Sequence, residues 1–139
     1  MNIGNITAKW ARLDPARPAL VDVPTGRRVS FGELDHRVRQ LANGLTAKGL
    51  QKGDRVGVLA KNSIEYFEIY YACARAGFIA QPLNWRLAVP ELARIVEDGR
   101  PQALVTSAEF SVEQQALQSQ PARHATPLIQ TQRAAGQIA

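Results

Sequence analysis

Acidic and thiol side chains are the first candidates for chemistry in this sequence, but their surroundings do not favour catalysis. Glu65 and Glu68 are close enough in sequence to share a helical turn, a spacing at which two carboxylates can meet on one helix face. They stand among aromatic residues at the start of an apolar helical pattern, so we interpret them as capping and solvated residues. Cys73 follows in the same pattern, without a neighbouring histidine or basic cluster to lower the pKa of its thiol.

Metal and nucleotide motifs are absent from the printed sequence. His36 and His124 are isolated, so metal-ligand spacing is lacking. No G-x-G-x-x-G follows a predicted strand, and there is no Walker loop. We therefore predict no dinucleotide site, no metal ligand and no catalytic residue.

Composition indicates a globular domain without a nucleic-acid partner. The 139 residues are 45% hydrophobic and 21% charged, values typical of folded domains with an ordinary core. The net charge of +5 comes from arginines that are interleaved with acids or apolar residues. Nucleic-acid-binding proteins usually concentrate such charge on one element.

The sequence also favours a cytoplasmic location. No apolar run approaches the roughly 20 residues that a spanning helix requires. Residues 1–10 lack the pattern of a secretory signal. The single cysteine excludes an internal disulfide, which fits a reducing compartment.

The first fifty residues predict a helix, a hairpin and a second helix. An amphipathic segment at 3–14 precedes two short strands at 19–23 and 27–31, joined by a turn at 24–26. Ser30 and Glu33 fit a capping box for the following helix. Gly49 is placed to end that helix in the left-handed conformation.

Residues 53–106 predict a parallel sheet. Apolar strands at 55–60, 78–83 and 103–106 alternate with two helical patterns, which end near Gly77 and Gly99. In the first of these helices we place Ile64, Phe67 and Tyr71 on the inward face. The fold class is therefore α/β, with a short parallel sheet, flanking helices and an N-terminal β-hairpin.

The character changes after Phe110. We predict one domain over residues 1–110 and a polar, disordered Gln/Ala-rich tail over 111–139, with room for a short helix near 112–117. A shifted reading frame or an early stop would produce such a change. A gene remnant and a natural short protein are alternatives that the sequence leaves open.

The order of several short motifs resembles the N-terminal region of AMP-forming acyl-CoA synthetases. They are SFGEL at 30–34, LANGL at 41–45, GLQKGDRV at 49–56, NSIEY at 62–66 and PLNWRL at 82–87. The resemblance spans roughly residues 3–110. It implies the fold of an N-terminal subdomain of an adenylate-forming ligase.

The resemblance also implies a reaction. Such enzymes use ATP and Mg²⁺ to convert a carboxylate to an acyl-adenylate with release of pyrophosphate, and then transfer the acyl group to coenzyme A. Family members hold the triphosphate in a Ser/Thr/Gly-rich loop and carry a lysine on a mobile C-terminal domain. Neither is present in this chain, so we expect a fragment that is inactive alone and needs no cofactor of its own. The parent substrate is expected to be a fatty or aromatic carboxylate.

One residue is a candidate ligand contact by resemblance. The arginine of the Asn-x-Arg-Leu motif lies near the phosphates of coenzyme A in related ligases, which makes Arg86 the candidate here. A guanidinium suits phosphate because it offers paired charge-assisted hydrogen bonds. The alternative is that Arg86 only anchors its loop to neighbouring backbone or a carboxylate.

A different class of function is an interaction module. Parallel sheets are normally covered on both faces, so an incomplete one would expose apolar surface and open strand edges. The chain would then bind itself or dock on a full-length relative.

Overall fold

A computed structural model describes residues 2–119 and 129–133. The helices are α1 (Ile6–Leu13), α2 (Phe31–Ala47), α3 (Ile64–Ala76), α4 (Val89–Gly99) and α5 (Ser111–Ser119). The strands are β1 (Pro18–Asp22), β2 (Arg27–Ser30), β3 (Arg55–Leu59), β4 (Ile79–Pro82), β5 (Ala103–Ser107) and β6 (Ile129–Arg133). Short 3₁₀ turns precede α1 and α5. None of the described helices combines the length and apolar character needed to cross a bilayer.

The chain divides into two compact units. The first contains residues up to 52 together with 62–78, and the second contains 53–61 and the residues from 79 onward. The first unit therefore holds the hairpin and helices α1, α2 and α3. The second holds β3 to β6 with α4 and α5.

The hairpin and the start of α2 confirm the sequence prediction. Strands β1 and β2 pair antiparallel. The Ser30 hydroxyl accepts a hydrogen bond from the Glu33 amide at 3.2 Å, and the Glu33 carboxylate accepts one from the Ser30 amide at 2.8 Å. Two donors that the helix cannot satisfy internally are thereby paired. Gly49 has φ of 97° just after the helix, as expected.

The core of the first unit lies between α2, α3 and the hairpin. It consists of Val29, Leu34, Val38, Ala42, Ile64 and Ala72. Helix α2 contributes Leu34, Val38 and Ala42, which recur at the spacing of one helical face. At the chain's start, the backbone of Gly4 approaches Ala74 so closely that an added Cβ would lie 2.5 Å from its carbonyl oxygen.

The second unit is a four-stranded parallel sheet in the order β4-β3-β5-β6. The three strands predicted from the sequence are all present and parallel. The central pair, β3 and β5, is almost entirely buried, which explains its unbroken apolar sequence. Leu59, Leu83, Leu92, Leu104, Phe110 and Leu117 form the core of this unit.

The end of α4 differs from the prediction. Gly99 was expected to follow the helix, but it is the last residue of α4, and Arg100 takes the left-handed conformation with φ of 48°. A close approach accounts for the glycine, because a Cβ on Gly99 would lie 2.0 Å from Nε2 of Gln81. The glycine makes room for a side chain rather than for a turn.

The predicted polar tail contains α5, where the sequence analysis left room for a short helix, and a strand, β6, that it did not expect. Gln114 and Leu117 of α5 are buried, and β6 pairs in parallel register with β5. Strand pairing uses backbone hydrogen bonds, so the polar composition of this segment did not prevent it. The remaining parts of the predicted tail, 120–128 and 134–139, lie outside the described residues.

Candidate functional site

The most promising site of the second unit is the carboxyl edge of its sheet. From β3 the chain continues to β4 on one side, and from β5 it continues to β6 on the other side. Neighbouring strands whose connections diverge in this way form a topological switch point, and open α/β sheets bind ligands at its carboxyl end. Lys61 follows β3, and Glu109 and Phe110 follow β5.

The Asn-Trp-Arg-Leu motif lies at the same edge, directly after β4. The Asn84 side-chain oxygen accepts a hydrogen bond from the Arg86 amide at 3.1 Å. The Asn84 carbonyl accepts another from the Leu87 amide at 3.1 Å. These bonds close a tight turn, because an asparagine can hydrogen-bond to the backbone two residues ahead. The turn explains why asparagine stands two residues before the arginine.

Trp85 is the centre of a group of two cations and two rings. The Arg86 guanidinium lies 4.2 Å from the centroid of the Trp85 ring, and the Lys61 ammonium lies 4.9 Å from it. The Phe110 ring packs beside the indole with a centroid distance of 6.2 Å. Trp85 in turn packs against the core of the second unit. Both cations therefore rest on a ring that the core holds in place.

The ion pair of Lys61 with Glu109 spans the switch point. Its Nζ and Oε2 atoms are 2.9 Å apart, and both side chains are about half exposed. An exposed pair of this kind contributes at most about 1 kcal/mol to stability. Arg86 is different, since among the described residues its guanidinium makes no ion pair with a carboxylate and contacts the Trp85 ring. The Arg86 side chain is exposed and can bind an anion.

Glu65 and Glu68 are not the solvated residues that the sequence analysis predicted. Glu68 is fully buried, and both of its carboxylate oxygens receive hydrogen bonds from the Arg37 guanidinium. Glu65 receives a hydrogen bond of 2.6 Å from Arg27. Burial alone raises the pKa of Glu65, but the hydrogen bonds to its carboxylate and the charges of Arg27 and Arg37 together lower the net pKa. Their role is to join α3 to α2 and the hairpin.

Asp35 completes this charged interface. It accepts hydrogen bonds from the Thr7 hydroxyl at 3.0 Å and from Arg75 at 2.6 Å. Burial works against the charged carboxylate, yet the bonds from Arg75 and Thr7 lower its pKa overall. The sequence held a signal that was missed, because Asp35 directly follows the inward-facing Leu34 in α2. An acid that is buried beside an apolar stripe requires a basic partner from another element.

One aromatic residue of α3 was also wrongly placed. Phe67, predicted to face inward, is 50% exposed, and Tyr70 is 41% exposed. The buried face consists of Ile64, Glu68, Ile69, Ala72 and Cys73. The Tyr71 ring, predicted to face inward, does pack against the core of the first unit. The Tyr66 and Tyr70 rings meet at a tilt of 38°, with their centroids 5.2 Å apart.

The remaining reactive side chains carry no site. Burial raises the pKa of the Cys73 thiol to about 12, so it stays protonated and inert at neutral pH. His36 is exposed, and His124 lies outside the described residues. Within the part of the chain that the structure describes, no three His, Cys, Asp or Glu side chains are grouped so that they could hold a metal ion.

Comparison with known proteins assigns the family. The family described as AMP-binding enzyme matches residues 7–137 of this chain. The chain belongs to the AMP-binding enzyme family. This match continues past residue 110, where the sequence analysis expected the resemblance to end.

Relatives that match this chain are, by name, acyl-CoA ligases and synthases and a ligase for acyl-carrier-protein. The fatty acid–[acyl-carrier-protein] ligase ScoC of Streptomyces coeruleorubidus is 36% identical over 104 residues, which are 75% of this chain and 20% of ScoC. A feruloyl-CoA synthase of Amycolatopsis sp. is 38% identical over 109 residues, 78% of this chain and 22% of the relative. The chain thus spans about a fifth of the length of these relatives.

The fold is that of the N-terminal domain of adenylate-forming ligases. The inhibitor-bound N-terminal domain of FACL13 from Mycobacterium tuberculosis superposes with a TM-score of 0.86 and 30% sequence identity. The superposition covers 95% of this chain and 33% of that domain. The fold predicted from the sequence, with its hairpin and parallel sheet, is therefore confirmed.

Proposed function

We propose that this chain forms the first part of the acyl-activating domain of an ATP-dependent acid–thiol ligase and does not turn over substrate by itself. The complete reaction joins a carboxylate to ATP, releases pyrophosphate, and transfers the acyl group from AMP to a thiol. The observation that carries the proposal is the family match over residues 7–137. The names of the relatives favour a fatty or aromatic acid as substrate.

The test of inactivity is ATP–pyrophosphate exchange with the purified 139-residue chain. Fatty and aromatic carboxylates are supplied in turn, with Mg²⁺, and the full-length feruloyl-CoA synthase of Amycolatopsis sp. serves as the positive control. We expect no exchange above the enzyme-free blank. Exchange that depends on both the chain and a carboxylate would overturn the proposal.

Of the cofactors used by the family, coenzyme A is the one that residues of this chain fit. Coenzyme A would supply the thiol that accepts the acyl group and the phosphates that the enzyme recognises. Arg86 would hold a phosphate with two N–H donors while its guanidinium plane rests on Trp85. The position of Arg86 at the carboxyl edge of the sheet supports this role. We assign no described residue to ATP or Mg²⁺.

The test of this role uses Trp85 as its own reporter. Binding of coenzyme A over Arg86 should change the indole fluorescence, and we expect Arg86→Ala to weaken binding about tenfold, as for loss of a charged hydrogen bond. Arg94→Ala is the matched control, because Arg94 is an exposed arginine of α4 in the same unit. Equal weakening by both variants would show only a loss of net charge and would reject the role of Arg86.

The acceptor thiol can also be that of a carrier protein. ScoC, by its name, is a ligase for acyl-carrier-protein, and a carrier protein offers a thiol without the free nucleotide of coenzyme A. Measuring binding of coenzyme A and of a holo carrier protein side by side separates these acceptors. A cytoplasmic location remains a prediction from the single cysteine.

Self-association is the second candidate, favoured by the open edges of the sheet. Strands β4 and β6 are the outermost strands of the described sheet, and an unpaired edge is a template for another strand. Sedimentation velocity would show a defined dimer if this candidate is correct. A monomer, or a polydisperse aggregate, would count against it.

A further inference from the structure

Lys61 places a second cation beside Arg86 at the carboxyl edge of the sheet. Its ammonium lies 4.9 Å from the centroid of the Trp85 ring and 5.9 Å from that of Phe110, and the Arg86 guanidinium lies 4.2 Å from the Trp85 centroid. The two cations follow different strands, β3 and β4. Two positive charges on one ring repel each other, and an anion that contacts both removes this repulsion.

The carboxylate of Glu109 already occupies one side of this pair of cations. Its Oε2 atom lies 2.9 Å from the Lys61 ammonium, and its Oε1 atom accepts a hydrogen bond from the Ser107 hydroxyl at 3.3 Å. One carboxylate carries one negative charge, so it balances Lys61 and leaves the charge of Arg86 unbalanced among the described residues.

The ion pair of Lys61 with Glu109 is not needed to hold the strand ends together. Strands β3 and β5 are already joined by a parallel ladder that runs from the pair of Val56 with Ala103 to the pair of Leu59 with Thr106. The Lys61 and Glu109 side chains are 50% and 44% exposed, and a pair so open to water contributes little to stability. The pair can therefore separate at little cost in free energy.

We propose that Lys61 is a second phosphate-binding residue beside Arg86, and that Glu109 holds Lys61 until a phosphate displaces it. The proposal rests on the contact of Arg86 with coenzyme A proposed above and adds to it the exchange of one anion for another. Glu109 retains the hydrogen bond from Ser107 when it releases Lys61, so its carboxylate does not lose every partner.

The two cations favour a phosphate monoester over a diester or a carboxylate. A monoester carries about −1.5 to −2 charges near pH 7 and has three free oxygens. A guanidinium binds two oxygens in one plane, and an ammonium is a compact charge that can bind the third. Glu109 offers one charge and two oxygens, so a monoester that reaches both cations displaces it from Lys61. In coenzyme A, the 3′-phosphate is such a monoester.

The test measures the affinity of the purified 139-residue chain for coenzyme A by calorimetry. Lys61→Met removes the ammonium and keeps an unbranched side chain against the rings, and we expect about tenfold weaker binding. Glu109→Gln frees Lys61, and we expect binding up to about fivefold tighter, the equivalent of a half-exposed ion pair. Arg94→Met and Glu97→Gln are the matched controls, because both residues are exposed on α4 of the same unit. If either variant only matched its control, net charge would account for the change and the proposal would be overturned.

The double variant Lys61→Met/Glu109→Gln separates displacement from direct repulsion. Glu109 acts on the ligand through Lys61, so the tighter binding caused by Glu109→Gln should disappear when residue 61 is methionine. A gain of the same size in both backgrounds would mean that Glu109 repels the ligand directly, and the displacement would be rejected.

Three ligands distinguish this proposal from the proposed function. Coenzyme A is compared with 3′-dephospho-coenzyme A, and we expect the effects of Lys61→Met and Glu109→Gln to disappear with the latter. Their persistence would overturn the assignment to a monoester. Inorganic phosphate that binds as tightly as coenzyme A, with the same dependence on Lys61, would support the phosphate site and count against recognition of coenzyme A. Weaker binding in Arg86→Ala but not in Lys61→Met would do the reverse, and a chain that binds none of the three ligands would overturn both.

Discussion

The two units of this protein hold their helices and strands together by different means. In the first unit, α2 and α3 meet through a set of acids and arginines that includes a fully buried carboxylate, Glu68. In the second unit, the central strands are buried among leucines and valines, and the ion pair of Lys61 with Glu109 is half exposed. Both units have an apolar core, and the first adds a buried ion pair between two of its helices.

This difference affects specificity as well as stability. A buried ion pair rarely stabilises a protein more than apolar residues of the same shape would, but removing one partner is costly. The pairing of Arg37 with Glu68 therefore favours arrangements of α2 and α3 that keep the two side chains in contact.

The tryptophans allow the two units to be followed separately. The chain has two, Trp10 in the first unit and Trp85 in the second. Trp85→Phe leaves Trp10 as the only reporter, and Trp10→Phe leaves Trp85. Urea unfolding of each single-tryptophan protein gives the baseline for the following predictions.

The largest expected effect is that of Arg37→Met, which leaves the buried Glu68 carboxylate without its guanidinium. We expect the free energy of unfolding reported by Trp10 to fall by about 3–5 kcal/mol. The double variant Arg37→Met/Glu68→Leu should recover most of this loss. Arg39→Met is the control, since Arg39 is half exposed where it pairs with Asp35, and it should cost less than about 1 kcal/mol. Equal costs for Arg37 and Arg39 would refute the comparison.

Leu104→Ala tests the apolar unit in the same way. Leu104 is fully buried between β3 and the helices of the second unit's core, and we expect a loss of about 2–5 kcal/mol in the unfolding reported by Trp85. Val112→Ala at a mostly exposed position of α5 should change it by less than about 0.5 kcal/mol. A leucine truncation as mild as the control would mean that the second unit is not held by its core.

Acid should weaken the first unit more than the second. The pKa values of Asp35 and Glu65 are lowered from ordinary values of 3.8 and 4.5. A carboxylate with a lowered folded-state pKa stabilises the fold above its unfolded pKa, and this contribution is lost as the pH falls through the folded pKa. We expect the stability reported by Trp10 to be level from pH 7 to about 5 and to fall below about pH 4. In Asp35→Asn, the free energy of unfolding should fall less steeply as the pH is lowered. An unchanged pH dependence in that variant would contradict the role given to Asp35.

Local rules predicted β3, β4 and β5 of the second unit and both hairpin strands, but not β6. The three strands β3, β4 and β5 follow from apolar runs separated by helical patterns, and the capping box at Ser30 and Glu33 depends on residues three apart. Such features depend on residues that are close to one another in the sequence. The same is true of Gly77, whose φ of 78° ends α3 as predicted.

Features that depend on a partner from another element were not predictable in this way. Glu68 reads as a surface residue until Arg37 is placed beside it, and that contact joins residues 31 positions apart. Gly99 reads as a helix end until the Gln81 side chain is found next to it. At the carboxyl edge, Arg86 was found from its motif, while Lys61 and Phe110 emerged only when the sheet brought three strand ends together.

The smallest effect concerns the helix ends, where the two units again differ. Gly77 directly follows α3 and Arg100 directly follows α4, and both residues are left-handed. A side chain is strained in this conformation, and glycine is not. Arg100→Gly should therefore raise the free energy of unfolding reported by Trp85 by about 0.5–1 kcal/mol.

Gly77→Ala is the matched control, and we expect it to lower the free energy of unfolding rather than raise it. Its Cβ would meet the Lys52 side chain at 2.8 Å in addition to the strain of the left-handed backbone, so we expect a loss of about 1–2 kcal/mol in the unfolding reported by Trp10. If Arg100→Gly were instead destabilising, the arginine side chain would have to contribute a contact that outweighs its backbone strain. Comparing Arg100→Gly with Arg100→Asn separates these causes, because asparagine tolerates the left-handed region while lacking the guanidinium.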